Sequence, residues 1–212
     1  VLRSASALLD SSASWKPHKK FHRGLVSTLS RRDRAPAGGG QRAPAWHVRV
    51  SEHSKAGDGQ GGEGFADLWW ALGVDHSLHE QEYVPELKRA TLLRTFEPGR
   101  AEAWALYYTF PPPISPRTFT VLVLISPPSS APSGPADAQE AQEALIVSLP
   151  YTPSPEEEKL LKKSVRGKYC SIERIRQLGN GKTEWRMAVQ STTMGAIPGW
   201  VQELGVPGKI SD

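Results

Sequence analysis

Apolar residues recur at helical spacing from Phe65 to Leu72, where Phe65, Leu68, Trp69 and Leu72 line one face and Gly73 follows as a stop. A second helix is predicted just downstream. Ser77 and Glu80 have the spacing of a capping box, and Tyr83, Val84 and Leu87 supply an apolar stripe that Pro85 would kink or restart. The period then shortens to two. Thr91–Phe96 reads as a strand, Pro98-Gly99 as a turn, and Ala101–Phe110 as a strand with Trp104, Leu106 and Tyr108 on one face. Pro111-Pro112-Pro113 interrupts pairing. Thr118–Ile125 is apolar and β-branched throughout, as in a strand covered on both faces, and Leu145–Leu149 is a further strand.

Ser154-Pro155-Glu156-Glu157 opens a short helix through a second capping box, with Lys162 and Lys163 expected at its end. Lys168–Leu178 and Thr183–Ser191 form a hairpin about Gly179-Asn180-Gly181, and Ile197–Leu204 starts a last helix. No β-α-β alternation occurs, so a doubly wound sheet is disfavoured. The pattern predicts an α+β fold, an antiparallel sheet with helices on one face.

Composition divides the chain. Gly38–Gly40 and the run from Gly57 to Gly64 read as flexible linkers, with only Trp46–Val50 alternating like a strand between them. Residues 1–64 are therefore expected to be a basic, Gly-rich, loosely ordered segment. Residues 65–212 are expected to be the folded domain, with a disordered Ser/Pro/Ala-rich insertion at 126–143. Charge follows the same division. Residues 11–50 hold nine Lys/Arg against the single acid Asp33, although the whole chain is only +4, so residues 51–212 are net acidic. The single cysteine, Cys170, permits no internal disulfide and fits a reducing, cytoplasmic setting. The longest apolar run, Val121–Ile125, is too short to span a membrane.

Catalytic signatures are missing. There is no GxSxG elbow, and Cys170 lies within a predicted strand as an inert core thiol. Glu157 and Glu158 read as capping groups on a solvated helix. His76 and His79 with Glu80 do not have the HExxH order, and Asp75 and Ser77 read as caps, so no metal or other cofactor is expected. Arg117 enters a buried strand. It could clamp an anionic group, or it could pair with Glu173 or Glu184, for which Arg174 and Arg186 compete. Trp104, Tyr108, Phe119, Trp185 and Met187 would line either an apolar pocket or an ordinary core.

Four stretches carry a family resemblance: Trp46-His47-Val48-Arg49 with Ser51 and His53; Asp75-His76-Ser77 with Glu80 and Tyr83-Val84-Pro85; Pro112–Phe119; and Gly167-Lys168-Tyr169 with Ser171–Arg174 and Glu184–Ala188. Over roughly residues 14–212 the chain resembles a fungal family of uncharacterised domains in the START-like superfamily. That superfamily includes the StAR-related lipid-transfer domains and the birch-pollen-allergen fold. The resemblance implies a helix-grip fold, a curved sheet around a long C-terminal helix with a cavity between. The family's helix continues beyond the point where this chain stops at Asp212, which predicts a truncated gripping helix or an incomplete gene model.

The resemblance turns the aromatic face into an expected pocket for a lipid or other apolar small molecule. Arg117 is its anchor, and Trp104, Tyr108, Phe119, Glu173, Trp185 and Met187 are its lining. Trp15, Lys19, Lys20, Phe21 and Arg23 are expected to touch an anionic membrane surface transiently, a peripheral association, with nucleic acid disfavoured and the oligomeric state left open. A helix-grip enzyme of the cyclase or hydrolase kind is the alternative. It would need a pocket-facing acid/base pair such as Glu173 with a His or Tyr. A third reading is an adaptor with a collapsed cavity.

Overall fold

The computed structural model describes residues 1–33, 44–54, 64–129 and 142–193. Helix α1 (Leu2–Ser11) turns Ala5 and Leu9 inward at i, i+4 spacing. Strands β1 (Lys16–Phe21), β2 (Val26–Arg32) and β3 (Ala45–His53) follow, then α2 (Phe65–Leu72) and α3 (His76–Tyr83). Next come β4 (Leu87–Glu97), β5 (Ala101–Tyr108), β6 (Arg117–Ser129) and β7 (Glu143–Pro150), a single-turn helix α4 (Pro155–Glu158), and the hairpin β8 (Val165–Gln177) and β9 (Thr183–Thr193). All nine strands form one curved sheet in the order β1-β2-β3-β9-β8-β7-β6-β5-β4. Neighbours are antiparallel, except that Arg117–Phe119 also meets Val165–Gly167 in parallel.

Period-two alternation sorts the sheet into two faces. One packs on α1: Trp46, Val48, Leu145, Val147, Ile172 and Ala188 surround Ala5, Leu9 and Trp15. The other packs on α2 and α3: Trp104, Leu106, Val121, Val123, Ile146 and Ile175 surround Leu68 and Leu72. Each cluster buries several large side chains at roughly 1.5–3 kcal/mol apiece, so the sheet is held from both sides.

Several expectations are corrected. The loosely ordered segment expected over 1–64 is, across residues 1–33 and 44–54, a helix and three strands of the common sheet, with β3 paired to β9. Of the insertion expected at 126–143, residues 126–129 belong to β6 and Glu143 opens β7, and residues 130–141 lie outside the described residues. The Ser77–Glu80 capping box does not form. Asp75, in the left-handed region at φ 43°, precedes α3, and its carbonyl accepts from the amides of Leu78 and His79. Pro85 follows the end of that helix and neither kinks nor restarts it. The second capping box does form: Ser154 Oγ accepts from the Glu157 amide at 3.3 Å, and the Glu157 carboxylate accepts from the Ser154 amide at 2.6 Å. That helix ends at Glu158, short of Lys162 and Lys163. Glu157 is buried and not solvated, paired with Arg94 at 2.8 Å. The helix expected from Ile197 to Leu204 lies outside the described residues.

Candidate functional site

The face that carries α2 and α3 gathers the chain's chemistry. Residues directly opposite across neighbouring strands share a face. Tyr108 stands opposite Arg117, Leu106 opposite Phe119, Trp104 opposite Val121, Ile175 opposite Trp185, and Glu173 opposite Met187. The seven expected ligand-facing residues therefore project from one side of the sheet. Around Arg117 the rings form a belt. Phe119 meets Tyr108 and Tyr169 edge-on, each at 5.5 Å, and Phe110 stacks on Tyr108 at 6.2 Å.

Arg117 opens β6 and is 2 % exposed. Its Nη1 donates to the Ser115 carbonyl at 2.7 Å, its Nε has no hydrogen-bond partner, and its guanidinium lies 6.0 Å from the Phe110 ring centre. No carboxylate among the described residues pairs with it. Pairing with Glu184 fails on strand parity. Glu184 lies on the opposite, α1 face, where Arg186 holds it through two bonds (3.1 and 2.8 Å) and Arg174 approaches at 3.8 Å. Arg174 also reaches Asp10 of α1 at 2.6 Å, and that bond holds the Asp10 carboxyl below its ordinary value.

Glu173 shares the Arg117 face but faces other groups. Burial pushes its carboxyl upward; His76 lowers it and Glu80 raises it further, with smaller lowering by Trp185 and Arg49. Beside it, Tyr108 donates its hydroxyl to Glu80 at 2.7 Å, and Glu80 lies 4.0 Å from His76 Nε2. Burial, with Glu80 adding to it, raises Tyr108 and Tyr169 well above the usual phenol range, so both are hydrogen-bonding alcohols at neutral pH. Arg49 stacks over Trp185 at 3.7 Å and donates to Ser51 at 3.1 Å.

Sequence reasoning missed Arg49, His76, Glu80 and Tyr169 as members of this face. Alternation supplied a signal for Arg49, since Trp46, Val48 and Val50 face α1 and the residues between them must face the other way. His76 and His79 part company. His76 Nδ1 bonds the Leu72 carbonyl at 2.7 Å, whereas His79 Nδ1 bonds that of Trp70 at 3.0 Å. Cys170 is half-buried on the α1 side, and desolvation pushes its thiol up to about 11. Among the expected membrane contacts, Trp15 is corrected: it is 5 % exposed, packed in the α1 core with Arg31 over its ring at 4.4 Å. Lys19, Lys20 and Arg23 are exposed, and Phe21 is half-buried. No helix among the described residues is long and apolar enough to cross a membrane.

Residues 46–212 match the family described as "Protein of unknown function (DUF3074)". Among solved structures, the chain is similar to human STARD10 at 15 % identity and a TM-score of 0.67, covering 99 % of this chain and 75 % of that one. It is similar to human StAR-related lipid transfer protein 5 at 14 % identity and a TM-score of 0.67, covering 100 % and 93 %. It is also similar to a STAR-related lipid transfer protein fragment from Xanthomonas axonopodis at 14 % identity and a TM-score of 0.57, covering 91 % and 89 %. At these identities the likeness is one of fold, START-like and α+β. No curated protein sequence matches the chain.

Proposed function

The chain belongs to the DUF3074 family of proteins of unknown function, and from that membership, its START-like fold and the face just described we propose that it is a lipid-binding or lipid-transfer module and not an enzyme. The observation that carries this reading is Arg117. A buried guanidinium without a carboxylate partner is costly, and an anionic ligand group would relieve that cost through charge-assisted hydrogen bonds. Tyr108, Phe119, Trp104, Trp185 and Met187 would wall the ligand's apolar part, and Glu173 would meet a donor on it. Burial of that apolar part supplies roughly 25 cal/mol per Å². The lipid's source is an anionic membrane surface that the protein touches transiently from the cytoplasmic side.

A second reading has one observation in its favour. Glu173 and His76, both buried, with the half-buried Glu80 and Tyr108 are an acid/base set of the kind a helix-grip hydrolase or cyclase needs. The set is explained equally well as recognition of a ligand hydroxyl, and Tyr108 already donates to Glu80 Oε1. The test is to incubate the full chain with a cell lipid extract, re-purify it and analyse what it carries by mass spectrometry. An unaltered lipid with a phosphate or carboxylate group is expected. A chain that returns empty sinks the module reading, and a chemically altered lipid favours the enzyme.

A further inference from the structure

The hairpin of β1 and β2 is a device separate from the buried face. It lies ahead of the residues that match the family. β1 is an edge strand whose first five residues are all exposed. Lys16, Lys19, Lys20 and Arg23 stand on it and its tip without an acidic partner among the described residues. At the tip His22, Arg23 and Gly24 hold φ of 48°, 58° and 97° in succession, a strained run for two side-chain-bearing residues. Leu25 follows, 70 % exposed, the most exposed large apolar side chain among the described residues. The hairpin is braced: at the bulge, Thr28 Oγ1 accepts from the Lys19 amide at 3.1 Å and donates to the Lys19 carbonyl at 2.9 Å.

Lysines, a proline and a bulge on an edge strand also discourage pairing with another chain, which accounts for Lys16–Lys20. It does not account for a bare leucine at a strained tip. We infer that this hairpin is a membrane-docking finger: Leu25 enters the headgroup–acyl boundary of an anionic bilayer while Lys16, Lys19, Lys20 and Arg23 hold its phosphates and carboxylates. A bilayer offers a partner to both parts at once, whereas a nucleic acid offers none to an isolated leucine, and a protein groove needs a broader apolar patch. The inference rests on the proposed function only in taking a bilayer as the lipid's source. It replaces the buried Trp15 with Leu25 as the inserting residue.

The test is co-sedimentation of the full chain with vesicles of phosphatidylcholine alone and with about 30 % phosphatidylserine added. Wild type should pellet with the anionic vesicles only. Lys19→Ala/Lys20→Ala should weaken partitioning about 25-fold, near fivefold per charge, and Leu25→Ala about tenfold. Trp70→Ala, which removes an exposed aromatic on α2, should match wild type. Equal binding by wild type and Leu25→Ala overturns the inference, as does a loss confined to Trp70→Ala. A single-stranded oligonucleotide bound more tightly than the vesicles, with Leu25→Ala harmless, overturns it in favour of a polyanion site. A chain that docks on vesicles but carries no lipid keeps the finger and loses the cavity reading; the reverse result loses only the finger.

Discussion

Gly167 faces Phe119 across the parallel contact between β6 and β8, and a methyl group at Gly167 would overlap the Phe119 ring. That ring cannot turn aside freely, because Tyr108 and Tyr169 flank it edge-on at 5.5 Å each. Gly167→Ala therefore overpacks the centre of the proposed ligand face, at about 1–3 kcal/mol. Alanine's smaller unfolded-state entropy returns about 0.4–1 kcal/mol, so a mid-range overpacking cost of about 2 kcal/mol leaves a net loss of about 1–2 kcal/mol. For a domain of this size each kcal/mol moves Tm by about 2–4 °C, so thermal unfolding should fall by about 2–8 °C. The mechanism is tested by a double-mutant cycle. Phe119→Leu alone destabilises, but in combination with Gly167→Ala the two losses should sum to clearly less than their separate values, since the leucine vacates the overlapping volume. An unchanged Tm for Gly167→Ala, or strictly additive losses in the pair, refutes the packing argument.

Three further predictions concern other sites. Glu173→Gln should stabilise the chain near neutral pH, with the advantage shrinking toward pH 4. The folded state holds the Glu173 proton above its ordinary value of 4.5, so wild-type stability is highest below that value and falls as pH rises toward the raised folded value. Denaturant titrations of both chains across that range check it, and a pH-independent difference is the contrary result. Ser154→Ala should cost about 1 kcal/mol by removing the oxygen that accepts from the Glu157 amide, read from urea midpoints. Cys170 should resist iodoacetamide at pH 8 in the native chain and react at once in denaturant, because desolvation holds its thiol at about 11; rapid native alkylation contradicts that placement.

Where one face of a strand is buried, the sequence announced it. Trp104, Leu106 and Tyr108 alternate, and the structure sets all three on the α2/α3 side, with Tyr169 and Trp185 packed against the same cluster. The turn glycines were equally legible, Gly99 and Gly181 both adopting positive φ. β1 was not legible because an edge strand exposed on both faces has no alternation to read. Its strand-rich surroundings were hidden by the glycine runs on either side of β3. The failed capping box at Ser77 shows a different limit. The motif was present, but the chain enters α3 through the left-handed Asp75, and backbone bonds to Asp75 do the capping. The Glu80–Tyr108 hydrogen bond joins residues 28 apart, a distance over which local spacing carries no signal. For Arg117 versus Glu184 the answer was parity: once β9 has Ala188 facing α1, Glu184 must face it too.

As the proposed anchor, the buried Arg117 guanidinium waits for an anionic ligand group. The direct measurement is a binding titration of wild type and Arg117→Gln with whichever lipid the extract experiment returns, with thermal melts to establish that both chains fold. Loss of a charge-assisted bond of about 1.5–3 kcal/mol predicts affinity roughly ten- to a hundredfold weaker in the variant. Equal affinity in two folded chains would contradict the assignment of Arg117 as the anchor.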